Sequence, residues 1–384
     1  MPARFIIDSD GSTIRETREQ SELPTRPRKR QRRDSWEYVG GYSDSDEQRA
    51  ELPGPVEDDV EFYRENDSEA DCVVRVGLVR FKVKSALLAD ISLVLRDILE
   101  EHPAGQVLVL VADPDEFRVL CWAIYADPSE VIEPPQDHES ISRLLQLAAI
   151  SRQFQCTPLL AAIKTTLLTA VSNPSFAASF SSPLFARLVE TAISIKHDAL
   201  LDVTIAAWAS RIRVGEAPCI PAIIAADTHE LPSLRGIAYY HHVQTMVAEQ
   251  GTNQRGATTF QTEQLVKLSN GQVTRVLSGH WSLVSLCEQL KRTALPFLAG
   301  PDCTRGCTKV WVERWSVAAM SEKSFRIRAA ALLTLLETMQ QLMKADKEVK
   351  QGMCGECRKS AIAALEKRAK ELEEGLADHF FGCL

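Results

Sequence analysis

No apolar run in this chain of 384 residues approaches the length of a membrane span, and its first residues lack the apolar stretch of a secretory signal. Both absences point to an intracellular protein. In that setting the ten cysteines read as reduced thiols or metal ligands and not as a disulfide framework. An excess of positive charge is missing as well. Lys and Arg number 44 against 52 Asp and Glu, a net charge of -8, which argues against a chain built as a whole for nucleic acid or a membrane surface. There is no Gly-rich phosphate loop, nucleophile elbow or metalloprotease helix. Cys121, Cys156 and Cys219 are the thiols a cysteine-enzyme reading would use, but no flanking signature supports one. The chain is therefore read as a non-enzyme. Nothing repeats at a fixed period, which sets a solenoid aside.

What is present is an ordinary globular balance, 45% hydrophobic and 25% charged, in a chain long enough for two or three domains. Residues 1–65 stand apart. They are rich in Arg, Asp, Glu, Ser and Pro, with few spaced apolar positions, so they bury too little surface to offset ordering entropy and are expected to form a disordered tail. Within them lies "RPRKRQRR", where Arg28, Lys29, Arg30, Arg32 and Arg33 form a basic block of the kind that serves nuclear import or non-specific nucleic-acid contact. A solvated charge run with no role is the bland alternative. The acidic run Ser43–Glu47 would weaken phosphate binding nearby, so import is favoured and the expected location is the nucleus, or nucleus and cytoplasm. Ser35, Ser43 and Ser45 sit in kinase-like contexts, and phosphates there would partly neutralise the block.

Residues 66–172 carry the most informative pattern. Val79, Phe81 and Val83 alternate with Arg80, Lys82 and Lys84, the period of a strand with one apolar face. Gly77 separates this run from Cys72–Val76 at hairpin spacing. Val107–Val111 is continuously apolar, which reads as a strand buried on both faces, although a short helix would look the same. Asp113, Pro114 and Glu116 have the spacing of a reciprocal helix cap. Phe117, Leu120, Cys121, Ile124 and Tyr125 follow on one face. Thr157 and Pro158 are expected to open another helix in the same way, with Leu160, Ile163 and Leu167 as its stripe. Leu87, Leu88, Ile91, Leu95 and Ile98 supply more apolar positions than one small sheet needs, so part of this surface is expected to be a dimer face.

The order of these features resembles the BTB (POZ) fold. Asp71 begins the first strand, and Phe81-x-Val83 leads into a Leu-Leu helix. Ser92 and an "LRDIL" helix follow, then a lone strand, an Asp-Pro helix ending in Tyr125 and a helical hairpin. The likeness covers about a quarter of the chain and looks closest to fungal BTB proteins with long helical C-terminal extensions. It implies an α+β module that self-associates through its first helix and sheet edge, and a possible role as an adaptor that docks a cullin scaffold. Lys84 and Ser85 stand where the family usually has His-Arg, so the charged pocket that some BTB repressors form with the Asp is incomplete.

Beyond this module the pattern turns helical. Residues 173–295 read as a helical region, with Phe185, Leu188, Val189 and Ile193 on one face, then Trp208, Ile212 and the apolar run Ile220–Ala226. The tandem His241-His242 reads as a solvated or core pair. Gly251–Thr259 is loop-like, and short helices are expected to break at Asn270-Gly271 and Gly279. Residues 296–384 are expected to form a helical hairpin, Ser321–Lys347 against Glu356–Phe380. They hold the one chemical constellation. Cys303 and Cys307 form a C-x3-C pair, and Cys354 and Cys357 a C-x2-C pair. Four thiolates suit Zn²⁺ in a closed structural site, and reduced thiols near helix ends are the alternative. His379 and Cys383 are the substitutes should one thiol point away. Similar thiol pairs after a helical region are also what the family resemblance implies. The expected function is an interaction or adaptor protein. The rival reading is a nuclear transcriptional regulator contacting nucleic acid through the basic block and the Cys cluster, which lacks a recognition helix at finger spacing.

Overall fold

Alternating side chains build a four-stranded mixed sheet from β1 (Glu57–Asp58), β2 (Cys72–Val76), β3 (Val79–Val83) and β4 (Val107–Leu110), in the order β1-β3-β2-β4. The computed structural model describes residues 55–64, 69–103, 105–248, 251–252, 258–259, 267–300, 303 and 306–381. The basic block, Arg28, Lys29, Arg30, Arg32 and Arg33, lies outside the described residues, as does Cys383.

The β2–β3 hairpin is antiparallel, with Val74 opposite Phe81, and Gly77 takes the turn at φ +58°, a conformation that costs glycine little. Strand β4 runs parallel to β2, with Val74 opposite Leu108. Parallel neighbours need a crossover, and helices α1 (Ser85–Ile91) and α2 (Leu93–Glu101) supply it. Val74, Val76, Phe81, Val83, Leu108 and Leu110 point into the core. The expectation of a strand buried on both faces is corrected here: Val107 and Val109 are 44% and 53% exposed. β4 is a sheet edge with one uncovered face, which a continuous apolar run cannot reveal.

Asp113 caps α3 (Pro114–Tyr125), accepting from the N–H groups of Asp115 and Glu116, and Phe117 meets Phe81 edge-on at 4.9 Å. Helices α4 (Pro128–Ile132), α5 (His138–Gln153) and α6 (Thr157–Ser172) complete the module. Thr157 is the first helical residue of α6 and not its cap; Cys156 holds the cap position, with no side-chain bond. The Ser92 hydroxyl accepts from the Leu95 N–H and donates to the Phe154 carbonyl, tying α2 to the end of α5. Leu88 and Leu95, placed on the expected dimer face, are fully buried in the chain's own core, so only Leu87, Ile91 and Ile98 of that set keep surface. Asp71 accepts from the N–H and hydroxyl of Ser85 at 2.7 and 2.6 Å, which ties the start of β2 to the start of α1.

The chain continues as α7 (Pro174–Ala177), α8 (Ser182–Ser194), α9 (Asp198–Arg213), α10 (Cys219–Thr228) and α11 (Pro232–Ala248). Phe185 stacks on Trp208 at 5.5 Å. The α8 stripe ends on Ala192, not Ile193, which is 37% exposed because the next residue turns by about 100° around the helix. Short strands β5 (Gly251–Thr252) and β6 (Thr258–Thr259) pair within the expected loop.

Helix α12 (Asn270–Arg292) runs 23 residues without a break, contrary to the expected interruptions. Ser269 and Gln272 form a full capping box ahead of Asn270-Gly271. Gly279 lies in the helix interior, and a Cβ built there would fall 2.0 Å from Cδ1 of Phe380. That glycine is a socket, not a stop. The remaining helices are α13 (Cys307–Ala319), α14 (Glu322–Phe325), α15 (Leu332–Ala345), α16 (Lys347–Gly352), α17 (Gly355–Glu374) and α18 (Asp378–Phe381). Each of the two long helices expected here is thus divided, at Arg326–Ala331 and at Gly375, and α13 was not anticipated.

These helices share hydrogen bonds with the preceding region. Trp315 and Trp311 donate to the Leu290 and Leu295 carbonyls, and Tyr240 accepts from the Leu333 N–H. Asp227, at the end of α10, accepts from Arg235, Tyr239, Gln272 and Arg275. No helix among the described residues is long and apolar enough to cross a membrane.

The Gly279 socket gives a signed prediction. Alanine is the better helix former by about 1 kcal/mol, so propensity alone would make Gly279→Ala stabilising. Overpacking against Phe380 reverses this, and denaturant unfolding is expected to show a loss of about 1–3 kcal/mol. Adding Phe380→Ala is expected to cancel part of that loss on a double-mutant cycle, and a stabilised single variant would contradict the packing described.

Candidate metal centre

Two helix starts meet at the four thiols. Gly306, in the left-handed conformation at φ +64°, turns the chain into α13, and Cys307 is the first residue of that helix. Cys354 holds the cap position of α17, and Cys357 lies in its first turn. Cys303 comes from the loop ahead of α13. The four Sγ atoms all lie within 4.8 Å of one another, and none is in a disulfide. Cys307 and Cys357 are fully buried, while Cys303 and Cys354 are half-buried.

Backbone donors orient the sulfurs. The Cys354 N–H donates to Sγ of Cys307, and the Gly300 N–H donates to Sγ of Cys357, both at 3.2 Å. The flanking helices are clamped independently of the thiols. Arg314 of α13 places two nitrogens on Asp346 at 2.6 and 2.9 Å, and Gly352 lets Val310 approach closely. Trp311 packs edge-on against Phe297, bringing the loop that leads to Cys303 onto α13.

The thiols do not titrate alike. The Cys357 N–H, and then its side chain, hold the Cys354 thiol below the ordinary range. Burial pushes Cys307 up. At Cys357 the Gly300 N–H pulls down, but burial and the three neighbouring thiols outweigh it and push the group up to about 12. Four sulfurs this close cannot all ionise without a compensating cation. Four thiols at this spacing form a group that could hold a soft metal ion.

Sequence spacing had paired these cysteines, and the structure brings all four together. Spacing does not show that α13 begins on Cys307, or that Cys307 and Cys357 take N–H bonds from Cys354 and Gly300; Gly306 marks a turn there but not where the helix starts. His379 is not part of the cluster, since its Nδ1 pairs with Ser282 Oγ at 2.8 Å. His242 is buried, burial lowers it to about 4, and its Nε2 has no protein partner. Neither His241 nor His242 belongs to a metal-ligand group among the described residues. Burial raises the thiols of Cys121, Cys156 and Cys219, the last two to about 12.

No family model matches the chain, and no curated protein matches it.

The uneven titration predicts an order of reaction. Only the thiolate is alkylated, so in chelator-treated full-length chain Cys354 is expected to react with iodoacetamide first, at a pH below that of an ordinary thiol. Cys307 and Cys357 are expected to react late and only as pH rises. Peptide mass spectrometry over a pH series reads this order, and equal rates at the three positions would overturn the assignment.

Proposed function

We propose that the chain is a protein-interaction or adaptor protein that self-associates and docks partners through a BTB-like module, with its C-terminal helices pinned by one structural Zn²⁺. The interaction reading is carried by the edge of the sheet. β4, a four-residue edge strand, is paired on one side only among the described residues, and Val107, Val109 and Val111 beside that edge are 44%, 53% and 89% exposed, an apolar patch of the kind that marks an interaction surface. Element order supports the family part of the reading: hairpin, two helices, parallel strand, Asp-capped helix, helical hairpin. A cullin scaffold is the partner that the resemblance offers, and the basic block Arg28–Arg33 would direct the chain to the nucleus.

The zinc part rests on the four sulfurs. A Zn²⁺ with sulfurs at about 2.3 Å sets them roughly 4 Å apart, close to the spacing present. Cys303, Cys307, Cys354 and Cys357 would hold it. With all four positions filled by protein, such a site stabilises and leaves no opening for substrate.

Elemental analysis of chain purified under reducing conditions without chelator is expected to give about one zinc per chain, lost in Cys357→Ser. Hydrogen exchange after chelation is expected to rise first at the starts of α13 and α17. Metal-free protein would refute the zinc reading. Light scattering of the full chain tests the rest: twice the chain mass is expected at micromolar concentration, and a monomer at high micromolar concentration would count against self-association. A fluorescent fusion with Arg28, Lys29, Arg30, Arg32 and Arg33 changed to Ala is expected to leave the nucleus, and an unchanged distribution would sink the import reading.

A further inference from the structure

The C-terminal hairpin carries a groove whose charge is opposite to that of the chain. A concavity of about 550 Å³ lies where α15, α16 and α17 meet. Ile362, half-buried, and the exposed Ala363 give it an apolar floor over the buried Met343, and Lys344, Lys350, Arg358 and Lys359 stand around it. Glu366 is the one carboxylate in the lining, and it is paired with Lys344 at 2.8 Å. Four cations against one carboxylate leave a net of three positive charges, on a chain whose net charge is -8.

The three remaining cations are free to meet a ligand. Lys350 and Lys359 make no ion pair among the described residues, and the guanidinium of Arg358 has one hydrogen bond, to the Lys350 carbonyl at 3.0 Å. Nearby acids are turned elsewhere. Asp346 is occupied by Arg314, and Glu356 lies against Gly300 on the side of the thiols.

A groove with cations around an apolar floor selects among anions. A phosphate backbone has no apolar group to place on Ile362 and Ala363. An extended polyanion would also meet the repulsion of an acidic protein beyond this short groove. A peptide that carries carboxylates on either side of a hydrophobic side chain satisfies both features.

We propose that this groove binds an acidic segment of a partner protein, with one aliphatic or aromatic side chain seated on Ile362 and Ala363 and flanking carboxylates on Lys350, Arg358 and Lys359. The Arg358 fork suits a bidentate carboxylate, and the two lysines act as mobile charges at the rim. The site is separate from the β4 edge and does not depend on the identity of the metal.

The test uses the full chain and a fluorescein-labelled peptide of alternating Glu and Leu, followed by fluorescence anisotropy. A control peptide carries Gln in place of Glu. Saturable binding of the Glu peptide that weakens with added salt is expected, with little binding of the Gln peptide. Lys350→Ala with Lys359→Ala removes two exposed charges that support no fold contact, and is expected to weaken binding about tenfold. Lys350→Arg with Lys359→Arg is expected to retain it. Equal binding of the two peptides would overturn the proposal, as would full binding by the double alanine variant. Tighter retention of a labelled DNA duplex that depends on the same two lysines would overturn it in favour of a nucleic-acid groove.

Discussion

The carboxylate of Asp227, 14% exposed at the end of α10, is reached by two other helices. Arg235 and Tyr239 come from α11, and Gln272 and Arg275 from α12, at 2.8–3.2 Å. An unpaired carboxylate at this depth would be costly, and so would two guanidiniums without it. The cluster therefore stands or falls as a unit. The same two guanidiniums lie over the ring of Phe381 at 4.7 and 4.8 Å, while Phe380 fills the socket at Gly279. A single half-buried carboxylate thus links α11 to α12, and the guanidiniums it holds receive the end of the described chain. Because α18 is held there, α17 has both its ends defined: one by Phe380 and Phe381, the other by Cys354 and Cys357.

That dependence explains which parts were legible in sequence. The β2–β3 hairpin, the Asp113 cap and the paired helices α5 and α6 are encoded by neighbours in the chain, through alternation, a turn glycine and capping chemistry. The same local logic failed wherever the deciding contact came from far away. Gly279 reads as a helix breaker until Phe380, about a hundred residues later, is seen to need the space. Val107–Val111 reads as doubly buried because apolarity does not say how many layers cover a sheet. Leu88 and Leu95 read as spare surface because the helices that bury them cannot be counted from α1 and α2 alone. At the thiol site the spacing was sufficient to pair the cysteines. The helix start at Cys307 was not legible, since nothing in "GPDCTRGCTK" alternates or repeats.

Charge is distributed as unevenly as apolar surface. Most exposed ion pairs lie along single helices at i,i+3 or i,i+4, as on α17 between Lys367, Arg368 and Glu371, and such pairs contribute little. The informative ones join separate elements: Arg118 of α3 to the buried Asp59, Arg213 of α9 to Glu373 of α17, and Arg314 of α13 to Asp346. Each spans a junction that apolar packing alone would leave free to slide. The groove lined by Lys350, Arg358 and Lys359 is the exception, a place where three cations gather with no ion pair among the described residues.

The electrostatics of the thiol cluster follow from the same economy. Helix N-termini carry the positive end of the backbone dipole, and here two of them, α13 and α17, are aimed at one group of sulfurs. The Cys357 N–H of α17 stabilises thiolate at Cys354, while burial opposes it at Cys307 and Cys357. Partial charges at helix ends are small beside the charge of four neighbouring thiolates. The proposed divalent cation would supply the rest, so metal and helix starts would share the compensation. The clamp between Arg314 and Asp346 lies beside the thiols and does not involve them. It ties α13 to the junction of α15 and α16, ahead of Cys354 in the chain, so the segments that carry Cys307 and Cys354 are held near each other by an ion pair that uses no sulfur.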